Sequence, residues 1–225
     1  MDWSQLIHYL PALLNGLGAT LILVTCSLII GLFLACLLML MRQSKHLWLQ
    51  MPARSFIFFI RGTPLLVQIY LLYYGSAQFS WLMASPLWAI FQHPFSCAVL
   101  ALALNTSAYT AELLHGALAA IPRGEIEVGH ALGMSQYILW RWIILGRALR
   151  IALPAYSNEV VMVVKSSTLA STITLLDLLG VTRQIISETY ASIQFLLIAG
   201  IIYLLLNAII MGVFRRLERR WLAYL

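Results

Sequence analysis

Read for polarity alone, the chain alternates long apolar runs with short charged connections. A helix needs roughly 20 mostly apolar residues to cross a hydrocarbon core about 30 Å thick. Five runs meet that need in whole or part: residues 12–41, 55–75, 96–119, 151–172 and 192–214. Each is continuously apolar rather than alternating in ten-residue stretches, so the pattern predicts membrane helices and not a β-barrel. The expected fold is all-α, with about five transmembrane helices in one membrane domain over residues 1–225. The first run is too long for a signal-peptide core and lacks a basic leader and a small-residue cleavage site, so it is expected to stay.

Composition agrees. At 62% hydrophobic and 10% charged residues, the chain is far from a soluble domain, where about a quarter is charged. The net charge of +6 raises the question of nucleic acid, but that partner needs a basic patch on a water-soluble fold. The charges lie elsewhere. Of the 14 lysines and arginines, Arg42, Lys45 and Arg54 flank the first connection, four lie from Arg123 to Arg150, and Arg215, Arg216, Arg219 and Arg220 end the chain. Arg183 is alone in the opposite loops, and Arg61 and Lys165 sit in or beside spans. By the positive-inside rule the N-terminus faces out and the C-terminus faces the cytoplasm. The expected partner surface is the lipid bilayer, with no nucleic acid.

Ionisable groups at membrane depth face a bundle interior, a cavity or a partner charge. The third run carries "LNTSAYTAELLHG", in which Asn105, Tyr109 and Glu112 fall on one helical face. Two readings stand there: a polar path, or hydrogen bonds between helices with Glu112 paired to an arginine. The fourth carries "YSNEVVMVVKSST" with Asn158, Glu159 and Lys165, where a carboxylate at depth attracts a cationic solute. Lys165 is either an internal partner of Glu159 or Glu112 or a snorkelling residue. Gly62, Thr63 and Pro64 interrupt the second run, as a true break that frees backbone groups or as a simple kink. Small residues near Gly16 and Gly18 allow close helix approach.

Cys26, Cys36 and Cys97 lie in apolar stretches and read as packing residues. The five histidines share no spacing that suggests a metal, and there is no HExxH. No metal site is expected. Paired carboxylates or a nucleophile with its base do not occur in suitable spacing, so no enzyme chemistry is expected.

Between the third and fourth runs lies "GEIEVGHALGMSQYILWRWIILG", residues 124–146. Glu127 is followed by Gly133 at six residues, Ile143 at sixteen and Leu145 at eighteen. This spacing resembles the EAA loop of permease subunits of bacterial ABC importers. An amphipathic helix lying on the membrane surface is the plain alternative. "RGTPLLVQIYLLYYG", "NTSAYTAELLHGALAAIPRG", "ALGMS" and "YSNEVVMVVKSSTLASTITLLDLLG" follow in the order seen in polar amino-acid uptake permeases, the histidine, glutamine and arginine uptake family. "GTPLLVQIYLLYYGSAQF", "AYSNEVVMVVKSS" and "RRLERRWLAYL" look most like the arginine-transporter permeases.

The resemblance implies a type I ABC importer permease in the bacterial inner membrane. It implies a path-forming subunit paired with a sister permease or a second copy of itself, with ABC ATPase subunits and a periplasmic amino-acid-binding protein. It also implies a coupling helix near residues 124–136, in which Glu127, Ala131, Leu132, Gly133, Met134 and Ser135 meet the ATPase. Helix-in-groove recognition fits these residues, with Gly133 ending the helix. The expected solute path combines Gly62, Thr63, Pro64, Asn105, Tyr109, Glu112, Asn158 and Glu159, for arginine or another basic amino acid. The sequence has no G-x-x-x-x-G-K-[ST], so the chain binds no cofactor of its own and ATP is used by the partner. Two departures stand out: Val128 and Gly129 replace the family's two alanines, and Gly146 replaces its proline. Gly129 lowers helix propensity by up to about 1 kcal/mol, so the helix is expected to depend on its partner for order. The rival readings are a stand-alone ion- or proton-coupled amino-acid transporter and a non-transporting membrane scaffold.

Overall fold

The computed structural model describes residues 3–222, with side chains from 7 to 220. Those residues form helices and connecting turns, with no strand among them. Helix α1 runs from Trp3 to Gln43. Its apolar part, Ile7–Gln43, has 37 residues and is about 55 Å long, well over the hydrocarbon thickness.

The second apolar run is not one helix. Helix α2, Leu47–Gly62, stops at Thr63, whose backbone is extended (φ −114°, ψ 145°). The cause is Pro64, which disfavours helical geometry in the residue before it and has no N–H to offer. The chain restarts as α3, Leu65–Tyr70, and continues through a π turn, Leu71–Gly75, and a 3₁₀ turn, Ser76–Gln78. The two halves meet at 106°. The break is therefore real, and a simple kink is excluded.

Single turns α4, Ser80–Met83, and α5, Trp88–Phe91, lead to α6, Pro94–Ala119, whose proline sits at the helix start where its missing donor costs nothing. Helix α7, Arg123–Ala131, follows one turn later, and α8, Gln136–Ile138, passes through a π turn, Leu139–Ile144, into α9, Leu145–Ser166. The expected fourth span, 151–172, thus starts six residues early, and beyond Ser166 it tightens to a 3₁₀ segment, Ser167–Ile173. Helix α10, Leu178–Thr189, meets the preceding stretch at 48° and occupies what the sequence pattern left as a loop. Helix α11, Ser192–Leu222, completes the chain. Among the described residues, three helices are long and apolar enough to span a membrane, or up to five if each bent pair is one span.

Helix α6 is the centre of the bundle because its inward positions are small: Ala98, Ala101, Ala103, Ala108 and Ala111 are all buried. Small side chains let neighbouring backbones approach closely. At Gly31 of α1 an added Cβ would overlap Thr106 Cγ2 and lie 3.1 Å from the Ala103 carbonyl oxygen. Gly16 makes the same kind of approach to α10, 3.1 Å from the Asp177 carbonyl oxygen, whereas Gly18 faces open space. Only one of the two glycines expected to permit close approach does so.

Helix α10 is held on α1 by polar groups as well as packing. Asp177 caps it, accepting from Gly180 N at 2.9 Å, and Leu178 N donates to Thr20 Oγ1 at 3.0 Å. Helix α11 lies at the periphery, with Ile193, Leu197, Leu204 and Ile209 exposed.

Candidate functional site: a polar cavity at the helix break

The break between α2 and α3 opens a cavity of about 420 Å³. Thr63, Pro64 and Leu65 line it from the break, Leu102, Asn105 and Tyr109 from one face of α6, and Glu159, Met162, Val163 and Ser166 from one face of α9. Steps of three and four residues on each helix bring those side chains to one side. The volume is in the range of small-molecule sites, and the mixture of apolar wall and few polar groups is what such sites use.

The polar groups are positioned by a network that the sequence reading missed, centred on Gln68. Its Nε2 donates to Ile60 O at 2.9 Å, Thr63 O at 3.2 Å and Thr63 Oγ1 at 2.8 Å, and its Oε1 accepts from Asn105 Nδ2 at 3.2 Å. A broken helix at membrane depth leaves carbonyls that protein must satisfy. Gln68 reaches back over the break and does so. The available signal was a lone amide in the apolar run "LLVQIYLL", four residues past Pro64. On the opposite wall Thr106 Oγ1 donates to Glu159 Oε1 at 2.8 Å, leaving Oε2 without a hydrogen-bond partner among the described residues.

The structure thus brings Thr63, Pro64, Asn105, Tyr109 and Glu159 to one cavity. Gly62 lines a second pocket of about 300 Å³ with Ile57, Phe58, Arg61 and Tyr109. Glu112 does not reach the cavity. One turn beyond Tyr109, it accepts a hydrogen bond from Arg42 and lies 3.5 Å from Arg61 Nη1, so its place on the same helical face did not place it at the same depth. Asn158 is exposed outside the cavity, because it stands about 100° around α9 from Glu159. Lys165 is exposed and forms no ion pair among the described residues.

The stretch from Gly124 to Gly146 folds as a helix over a small core of its own. Helix α7 ends in a two-bond C-terminal cap: Gly133 N donates to His130 O at 3.0 Å and Met134 N to Gly129 O at 3.1 Å, with Gly133 at φ +72°. That left-handed geometry is the reason for the glycine. The helix is shorter than the expected 124–136. Leu132 is its cap, Gly133 and Met134 lie past it, and Ser135 starts α8 by accepting from Ile138 N at 3.4 Å.

Ile126 packs against the buried cluster of Ile121, Leu139, Ile144 and Ala148, and Glu125 Oε1 pairs with Arg147 Nη2 at 3.1 Å. Gly129 is buried where an added Cβ would overlap Leu139 Cδ1. The departure from alanine therefore has a packing role. Glu127, Val128, Ala131 and Leu132 stay exposed.

Residues 27–223 match the family model described as "binding-protein-dependent transport system inner membrane component". The chain belongs to this family. Among curated relatives, the octopine transport system permease protein of Rhizobium meliloti is 49% identical, over 92% of this chain and 84% of its own length. The arginine ABC transporter permease protein of Haemophilus influenzae is 40% identical, over 96% and 95%. The histidine/lysine/arginine/ornithine transport system permease protein of Escherichia coli (strain K12) is 41% identical, over 99% and 94%. The octopine protein is thus nearer to this permease than the arginine protein is.

A crystal structure of an amino acid ABC transporter with histidines superposes with a TM-score of 0.87 at 32% identity, covering 98% of this permease and 99% of that chain. The inward-facing methionine ABC transporter MetNI, at 17% identity and a TM-score of 0.74, shares the fold. The permease is a transport component of the inner membrane rather than an enzyme, and ATP hydrolysis belongs to separate subunits. A stand-alone ion-coupled transporter and a scaffold are set aside by this membership.

Proposed function

We propose that this permease forms half of the path for amino acids with a cationic side chain, and for derivatives that keep a guanidinium, in an ATP-driven importer. The observation that carries this is Glu159, a carboxylate in the cavity with one oxygen fixed by Thr106 and the other free. A guanidinium offers two parallel N–H donors to such a group. The names of the relatives support the class: arginine, histidine, lysine, ornithine and octopine are cationic amino acids or an arginine derivative.

In this reading α7 docks in a groove of an ATPase subunit through Glu127, Val128, Ala131 and Leu132, and Met134 and Ser135 flank the contact. Supporting this, Arg42, the start of α9 and α7 gather at one end of the bundle, the end that the positive-inside rule assigns to the cytoplasm. The N-terminus then faces out. A second permease, sister or copy, closes the open side of the cavity, and a periplasmic binding protein delivers the solute. The whole chain works as one membrane domain.

The test is uptake and solute-stimulated ATP hydrolysis by the transporter reconstituted with its ATPase and binding protein. Glu159→Gln is expected to cut arginine uptake at least tenfold and to erase its selectivity over glutamine. Unchanged uptake and selectivity would sink the assignment.

A further inference from the structure

Beyond the main cavity, three charged side chains from three helices converge: Arg42 of α1, Arg61 of α2 and Glu112 of α6. One carboxylate faces two guanidiniums, so the cluster carries one positive charge in excess. The two arginines are not equivalent. Arg42 hydrogen-bonds Glu112 Oε2 and has a side chain only 17% exposed. Arg61 Nη1 stands 3.5 Å from the same oxygen and its side chain is 41% exposed. That separation exceeds the usual 2.7–3.2 Å of an N–H···O bond. Arg61 donates no hydrogen bond to any other described residue; its guanidinium instead rests over the Tyr109 ring, 5.2 Å from the centroid.

Such stacking fixes the planar group without using its in-plane donors. A fork of N–H groups that suits a carboxylate is therefore held in position and, apart from the loose ion pair of Nη1 with Glu112 at 3.5 Å, makes no contact with an acceptor among the described residues. They line the pocket of about 300 Å³ with Gly62 and Tyr109. Tyr109 is also a wall of the cavity that contains Glu159. An acceptor for a cation and a donor for an anion thus occupy adjoining chambers that share one aromatic side chain.

We propose that Arg61 is an anion-binding residue that receives the α-carboxylate of the amino-acid solute while Glu159 receives its cationic end. This rests on the solute class proposed above, and it adds the feature that separates an amino acid from a plain diamine or guanidine. Arg42 keeps Glu112 neutralised, so Arg61 is released to the solute at little cost.

The test compares arginine with agmatine, which is arginine lacking the carboxylate. The probes are the two radiolabelled compounds, and the readout is equilibrium binding to the assembled permease–ATPase complex without the binding protein, so that only the membrane site discriminates. The unmodified complex is expected to favour arginine by about tenfold or more, the worth of one charge-assisted hydrogen bond. Arg61→Met is expected to lower arginine affinity to that of agmatine while leaving agmatine binding unchanged, which also shows that the site remains folded. Arg61→Lys should restore part of the preference. Glu159→Gln should weaken both ligands alike.

An arginine-to-agmatine ratio that Arg61→Met leaves unaltered overturns the proposal, as does equal loss of both ligands in that variant. If the unmodified complex binds the two equally and Glu159→Gln still weakens both, Arg61 has no such role and the solute class stands. If it binds neither, both readings fall.

Discussion

Gln68 offers the sharpest test of how the helix break is held open. The side chain is 8% exposed, and its two N–H groups serve three acceptors at 2.8–3.2 Å while its oxygen accepts from Asn105 at 3.2 Å. Side-chain hydrogen bonds between membrane helices average about 0.6 kcal/mol and reach about 1.7 kcal/mol. Four such bonds, at that average, put Gln68→Leu at about 2 kcal/mol, with Thr63 Oγ1, 3.5 Å from Ile60 O, positioned to recover part of the loss. Gln68→Glu keeps the shape but turns an acceptor toward two carbonyl oxygens, and a carboxylate there costs several kcal/mol more or must take up a proton.

The expected order of stability is therefore glutamine, then leucine, then glutamate. For a chain of this length about 2 kcal/mol corresponds to roughly 4–8 °C in the unfolding midpoint. Thiol labelling of Cys97, which is fully buried, reads that midpoint as the purified transporter is heated. Two results refute the reasoning: Gln68→Leu unfolding within a degree or two of the unmodified chain, or Gln68→Glu matching Gln68→Leu.

Other outcomes follow from close approach and backbone geometry. Gly31→Ala pushes a methyl into Thr106, the residue that orients Glu159, and should cost about 1–3 kcal/mol by overpacking; Gly18→Ala, with nothing within 4 Å of the new carbon, should be neutral or slightly stabilising in the same melting assay. Gly133→Ala meets no neighbour but places a Cβ at φ +72°, a cost of about 1–2 kcal/mol that leaves ATPase co-purification intact. Gly133→Glu adds a charge at the exposed end of α7 and, on the proposed docking, should abolish that co-purification; normal association and uptake in this variant would remove the docking claim.

The hydrophobic runs were legible because lipid-length helices need little beyond apolar continuity, and the Gly62–Pro64 interruption was legible because proline chemistry is local. The 106° turn was not, since its angle depends on Gln68 and Asn105, which lie on different segments. Helix α10 escaped notice because twelve residues containing Arg183 and Glu188 score neither as a span nor as a long amphipath. Its Asp177 cap, three residues before Gly180, was the readable sign. Depth is the other quantity that periodicity omits: Asn105, Tyr109 and Glu112 share a face, but seven residues of rise separate the first from the last by about 10 Å. Asn158 is next to Glu159 in sequence but is turned about 100° around α9 from it, away from the cavity lining.

The brace between α7 and α9 has a mechanical meaning. Glu125 is tied to Arg147 in the first turn of α9, and Glu159 lies twelve residues along the same helix, about 18 Å away. Under the proposed docking, a pull on α7 would act on one end of a rod whose far end carries Glu159. Pro154 stands between them, where a missing backbone bond makes the rod yield most easily. On that proposal, the displacement reaching Glu159 would be set by how far α9 tilts as a lever and how far it flexes at that joint.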